Sequence, residues 1–156
     1  MAEQLICFLN LSMVDVKQKG NLTELQCITA FYELGYKVSI PYGENSRYDF
    51  IADIDGILIR VQTKTCKVSE QDNSISFPCR STRVNSSGCY HRQYTNKEID
   101  YFSTYYNGKC YLVPVNECSK AKCLRFNQTK NNQQGRVNYA KDYELPTQVQ
   151  KLLTKE

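Results

Sequence analysis

Asp49, Gln62 and Lys64 are the residues whose types and spacing point most directly to chemistry. A carboxylate, an amide oxygen and an ammonium held side by side can bind a hard divalent ion and offset the charge that builds on a phosphorane. Those are the requirements of phosphodiester cleavage. Asp55-Gly56 lies between Asp49 and Gln62, flanked by runs rich in β-branched and aromatic residues, and an Asp-Gly pair favours a two-residue hairpin turn because both central positions need positive φ. Counting back from that turn sets Ile54 opposite Ile57, Ala52 opposite Ile59, Phe50 opposite Val61 and Asp49 opposite Gln62. Alternation then puts Asp49, Ile51 and Asp53 on one face with Leu58, Arg60, Gln62 and Lys64. The other face carries Phe50, Ala52, Ile54, Ile57, Ile59 and Val61, is wholly apolar, and must be packed. The polar face also has a plainer reading, as a solvated surface whose charges pair weakly.

A second carboxylate comes from the segment before the hairpin. Gly20 is expected to break the chain, and Asn21-Leu22-Thr23-Glu24 has the form of a helix start, with Asn as N-cap and Glu three positions on as its capping-box partner. Leu22, Leu25, Ile28, Phe31 and Tyr32 follow at helical spacing as the buried face, and Gly35 is the expected stop. Glu24 reads locally as a cap. It can also be read as a carboxylate reaching toward the hairpin.

The rest of the chain supplies a scaffold and a basic surface. Tyr36–Ile40 reads as a short strand ended by Pro41 and a turn at 43–45, Cys66–Ser74 as loop, and Ile75–Phe77 as a brief strand. Residues 78–97 read as a long irregular segment of the kind that tends to be functional. Glu98–Tyr106 reads as a strand, and Asn107-Gly108 marks a second hairpin into Cys110–Val115, completing a mixed sheet with Tyr101, Phe102, Tyr111 and Val113 in the core. Residues 116–136 are polar and basic, with an exposed loop at 130–135. A short helix is expected from Pro146.

With 156 residues, 41% hydrophobic and 23% charged, the chain suits one soluble globular domain. Its net charge of +4 is unevenly spread. Residues 73–97 hold Arg80, Arg83, Arg92 and Lys97 with no acid, and 118–141 hold six more cations with none. Such a surface suits a polyanion, and Tyr90, His91, Arg92 and Tyr94 mix aromatic rings with cations as contact with phosphates and bases requires. The apolar run Leu5–Leu9 has no basic lead and is broken by Asn10 and Ser12, so neither a signal peptide nor a membrane span is expected, and the cytoplasm is the expected location. The eight cysteines are then expected as mostly free, buried thiols. Cys89-x-His91 with Cys118-x4-Cys123 is too loose in spacing to favour zinc over ordinary packing.

The order of a helix with Glu24, a strand with Asp49, a strand with Gln62-x-Lys64 and a late hairpin resembles the PD-(D/E)XK nuclease superfamily. More narrowly it is similar to the group I intron-associated subgroup, which includes homing endonucleases. The pieces that carry the resemblance are Lys19–Leu25, Gly35–Gly43, Arg47–Ile51, Val61–Thr65, Glu98–Phe102, Tyr111–Val115 and Ala140–Leu145. It implies an α/β, restriction-endonuclease-like mixed sheet flanked by helices, with a nuclease domain over 19–145, an N-terminal extension over 1–18 and a C-terminal tail or short helix over 146–156. It makes Asp49 the principal metal ligand, Gln62 the counterpart of the second acid, Lys64 the catalytic lysine and Glu24 the helix acid that completes the metal environment.

Tyr48 stands where the superfamily has proline, and Gln62 where it has Asp or Glu, which weakens the hold on a cation. The activity implied is Mg²⁺-dependent hydrolysis of double-stranded DNA, with Mn²⁺ substituting, by a homodimer or homotetramer. Arg80, Arg83 and Arg92 are then assigned to the DNA backbone, and Tyr90 and Tyr94 to base or sugar contacts. A Holliday-junction-resolvase-like nuclease and a catalytically silent DNA-binding module share the same core and remain open.

Overall fold

The computed structural model describes residues 15–43, 45–128, 135 and 137–154. Helix α1 spans Val16–Glu33 and is followed by strand β1, Lys37–Ser39. Strands β2, Phe50–Ile54, and β3, Ile57–Thr63, form the hairpin in the register counted from the turn, with Phe50 opposite Val61, Ala52 opposite Ile59 and Ile54 opposite Ile57. Asp55 at φ 51° and Gly56 at φ 92° supply the two positive dihedrals the turn demands. Further along come β4, Lys67–Ser69, β5, Ser74–Pro78, β6, Arg80–Asn85, and β7, Gly88–Gln93. The second expected hairpin is β8, Tyr101–Tyr106, and β9, Lys109–Pro114, turning through Asn107 and Gly108, both at positive φ. Strand β10, Ala121–Arg125, and helix α2, Leu145–Leu153, close the described chain.

The main sheet runs β1-β2-β3-β8-β9 and is mixed, because β3 and β8 pair in parallel while the other neighbours are antiparallel. Its apolar face is the one anticipated: Phe50, Ala52, Ile54, Ile59 and Val61 are buried against Cys27 and Phe31 of α1 and Leu145 and Val149 of α2. Phe31 and Phe50 meet edge to face at 5.4 Å. Behind β8 and β9 a second sheet, β10-β5-β4, covers the opposite face, and Phe102, Tyr111, Val113, Ile75, Phe77 and Leu124 form the second core. Lys122 is the charged side chain buried there among the described residues, and it is held by the Tyr143 hydroxyl at 3.0 Å and the Glu117 carboxylate at 3.4 Å.

Several expectations need correction. The helix does not begin at Asn21. It begins at Val16 and runs through Gly20, so Asn21 is an interior residue and cannot cap with Glu24. Its buried stripe is Thr23, Cys27 and Phe31, four residues apart, while Leu22, Leu25 and Tyr32 are exposed, since the small side chains at 23 and 27 seat the helix closely on the sheet. The 66–74 loop contains β4, and the 116–136 segment contains β10, both paired to β5. The 78–97 segment is a regular two-stranded ribbon, β6-β7, and not irregular chain. Tyr101, expected in the core, is half-buried at its margin. Residues 1–14 and most of the 130–135 loop lie outside the described residues. Helix α1 crosses the expected 18/19 boundary, and α2 the 145/146 boundary.

Truncating Phe50, which is fully buried and meets Phe31 edge to face, is expected to cost about 3–5 kcal/mol. Leu58→Ala, at a side chain 64% exposed one strand away, is expected to stay within about 0.5 kcal/mol. Urea denaturation of the two variants measures both.

Candidate active site

At the open end of the β2-β3 hairpin the ladder continues one residue past β2, with the Asp49 amide donating to the Val61 carbonyl at 2.8 Å. That places the Asp49 carboxylate over the end of β3. Its Oδ2 accepts both the Thr63 amide and the Gln62 side-chain amide, each at 2.6 Å. Lys64 is fixed through its backbone, whose N–H donates to the Ser103 carbonyl of β8 at 2.8 Å. Thr63 and Ser103 hydroxyls meet at 2.9 Å beneath it. The three residues singled out from the sequence therefore converge, on the face that alternation assigned them.

Gln62 differs in one detail from the expected arrangement. Its NH₂ faces Asp49, and its oxygen Oε1 accepts from the Tyr94 hydroxyl at 3.3 Å. A half-turn of the amide exchanges the two atoms and is what presents the oxygen beside Asp49.

Glu24 joins the site from α1. The Thr23 hydroxyl contacts that of Thr65 at 3.2 Å and tacks the helix to the chain just beyond Lys64. Burial, and after it the negative charge of Asp49, push the Glu24 carboxyl above its ordinary range. Burial also pushes Asp49 up, against the downward pull of the Thr63 amide, Lys64 and Gln62. Burial lowers Lys64, with the Arg47 charge adding to the fall and Asp49 opposing it. Two carboxylates that resist ionising together, with an amide oxygen one half-turn away, form a donor set of hard oxygens that suits a hard divalent cation. Among the described residues no group of three His, Cys, Asp or Glu side chains that could hold a metal ion occurs, and the oxygen donors this end of the hairpin offers a cation are the Asp49 and Glu24 carboxylates and the Gln62 amide.

Tyr94 and Arg47 complete the surroundings. The Tyr94 ring meets Phe102 edge-on at 5.3 Å, and the Arg47 guanidinium lies 4.0 Å above its centroid. Lys64 Nζ donates to its hydroxyl at 3.3 Å. Arg47 Nε donates to Glu98 at 3.0 Å, and its terminal nitrogens reach the Ser81 hydroxyl and the Gln93 carbonyl. Glu98 also accepts from Arg92 at 2.5 Å and from the amide and hydroxyl of Thr95. Against the burial that raises it, the Thr95 amide and the two arginines hold Glu98 below its ordinary range. Sequence alone places Arg47 and Glu98 only within the segments that carry the family resemblance. The available signal was that Arg47 lies two residues before Asp49, so alternation carries it toward the same face.

The ribbon divides the candidate DNA contacts. Ser81 pairs with Arg92 and Arg83 with Tyr90, so Arg83, Tyr90 and Arg92 share one face, which with Arg47 lines a cleft of about 480 Å³. Arg80 pairs with Gln93 and belongs to the opposite face, with Thr82 and His91. Tyr94 sits beyond the ribbon, at Lys64. Cys89 and His91 are on the exposed ribbon, 3.9 Å apart, and the seven described cysteines are free.

A mixed sheet backed by helices, with an aspartate and a lysine at the open end of one hairpin and a helix carboxylate beside them, defines a restriction-endonuclease-like nuclease. Residues 14–146 match the model of the family described as PD-(D/E)XK endonuclease, and the chain belongs to that family. The resemblance read from the sequence is thereby upheld, and with it the α/β fold class and the coarse activity, that of a nuclease. Among solved structures the chain is similar to the bacterial homing endonuclease I-Ssp6803I, with a TM-score of 0.70 and 25% identity over 91% of this chain and 99% of that one. No curated protein matches the chain. No helix among the described residues is long and apolar enough to cross a membrane.

The raised Glu24 carboxyl has a sign that can be measured. A carboxylate whose folded value lies above its unfolded one contributes stability in full below the unfolded range and loses it as pH rises through the folded value. Glu24→Gln is therefore expected to melt higher than the unaltered chain at pH 7 in the presence of chelator. The two should converge near pH ~4. Thermal melts across that range check it.

Proposed function

We propose that this chain is a Mg²⁺-dependent, sequence-specific endonuclease of double-stranded DNA, of homing-endonuclease type, in which Mn²⁺ substitutes for Mg²⁺. The observation that carries the reading is the convergence of Asp49, Lys64 and Glu24 at one end of the β2-β3 hairpin. Asp49 and Glu24, with the Gln62 oxygen once its amide has turned, would hold the cation. Such an ion, when bound, polarises the scissile phosphate and lowers the pKa of a coordinated water. Lys64 orients the attacking water and offsets the negative charge that develops on the phosphate oxygens. Its lowered pKa eases donation of a proton toward that charge. The neutral Gln62 in place of an acid favours a weaker hold on the cation than a three-carboxylate site would give.

The β6-β7 ribbon supplies the DNA contacts in this reading. A two-stranded ribbon fits the major groove, and Arg83 and Arg92 take phosphates while Tyr90 meets a base or sugar. Arg80, on the other ribbon face, reaches a neighbouring stretch of backbone. One chain carries one centre, so cutting both strands takes at least two copies, as a homodimer or homotetramer. The free thiols support a reducing, cytoplasmic setting.

Cleavage of supercoiled plasmid carrying candidate insertion sites, of a branched junction and of single strands, with Mg²⁺ or with chelator, tests the reading. Cutting of the plasmid only with the metal is the expected result. Preferential cutting of the junction would favour a resolvase-like enzyme, and binding without cutting a silent module. Asp49→Ala and Lys64→Ala are expected to abolish cleavage and leave the mobility shift of the duplex intact; metal-dependent nicking by Asp49→Ala would sink the assignment. Arg83→Ala is expected to lower the salt slope of binding by about one.

A further inference from the structure

Lys64 ends in a four-carbon stem with a freely rotating ammonium, and an ammonium in the wrong place orients nothing. Its backbone is fixed by Ser103, but that leaves the side chain's four torsions open. Among the described residues the side chain that accepts from Nζ is Tyr94, at 3.3 Å, and the same hydroxyl donates to Gln62 Oε1 at 3.3 Å. A phenol has one proton to give and lone pairs to receive, so it can serve both neighbours at once. The ring itself is held from three directions. Phe102 meets it edge-on at 5.3 Å, the Arg47 guanidinium covers one face at 4.0 Å, and Lys64 Nζ lies 5.0 Å from the centroid. The backbone on either side is held as well, because the Gln93 carbonyl accepts from Arg47 and the Thr95 amide donates to Glu98.

Resting on the nuclease reading of this site, we propose that Tyr94 is a positioning residue whose hydroxyl sets Lys64 in register for the reaction, and not a residue that binds DNA. A ring packed this firmly needs no hydroxyl for its own stability. The hydroxyl is aimed inward, at Lys64 Nζ and Gln62 Oε1. Tyr94 also follows β7 directly, so the segment that leaves the ribbon is the one that fixes the lysine.

The distinguishing substitution is Tyr94→Phe, which keeps the contacts to Phe102 and Arg47 and removes only the hydroxyl. Single-turnover cleavage of a plasmid cut by the unaltered chain is expected to slow about 10- to 100-fold at saturating protein with Mg²⁺. The dissociation constant for the same duplex in chelator and the melting temperature should not change. An unchanged cleavage rate would overturn the inference, as would a fall in rate matched by an equal fall in affinity, which would make Tyr94 a DNA contact. Loss of folding in Tyr94→Phe would assign the hydroxyl to stability and overturn it too. Failure of the unaltered chain to cut any substrate removes the nuclease reading itself, whereas a chain that cuts and a variant that cuts as fast removes only the role of Tyr94.

Discussion

Thr63 donates its backbone amide to Asp49, and the whole site depends on that bond. It lies just beyond the last paired strand position, and it makes the position of a carboxylate a matter of backbone geometry. A slip of one residue would turn every side chain of the hairpin to the other face. Asp49 would then enter the core and Phe50 the solvent. Burial of Phe50, Ala52, Ile54, Ile59 and Val61 forbids the slip, so the apolar face is what enforces the polar one. The parallel pairing of β3 with β8 extends the same control to Lys64, whose amide is taken by Ser103.

Electrostatics at this end of the hairpin are unbalanced in a telling way. Glu24 and Asp49 are lifted and Lys64 is depressed, so each of the three is pushed toward its neutral form, chiefly by loss of water. Elsewhere the charges are matched: Glu98 with Arg47 and Arg92, Asp100 with Arg60, Lys122 with Glu117. Among the described residues none of Glu24, Asp49 and Lys64 takes part in such an ion pair, although burial acts on all three. That contrast separates this end of the hairpin from the ion pairs around it and weighs against a plainly solvated face.

Legibility followed the range of the interaction concerned. Both hairpins were readable because the demand for positive φ at Asp55-Gly56 and Asn107-Gly108 is local, and the pairing from Ile54 against Ile57 to Phe50 against Val61 follows from it by counting. The start of α1 was misread because Asn-x-x-Glu is only a statistical cap, and a helix seated on a sheet can run straight through a glycine whose surroundings are open. The β6-β7 ribbon was missed for a different reason. With almost no burial on either face it shows no apolar alternation, so its pattern looks like loop. Arg47 escaped because its partners are Ser81, Gln93 and Glu98, far along the chain, and nothing local announces them.

The ribbon's exposure has a consequence for how such a protein changes over time. Every residue of β7 and the last four of β6 are exposed, and none of them belongs to either core. Its ends are tied down by Arg47, Glu98 and the Arg60 contacts to Asp100 and the Asn96 carbonyl, all of which lie outside the two strands. Apart from Ser81 and Arg92, which bond Arg47 and Glu98, the strands can therefore be rewritten by drift, residue by residue, with little toll on folding or on the hairpin that holds Asp49 and Lys64. A lineage built on this plan can alter what it touches while keeping what it does.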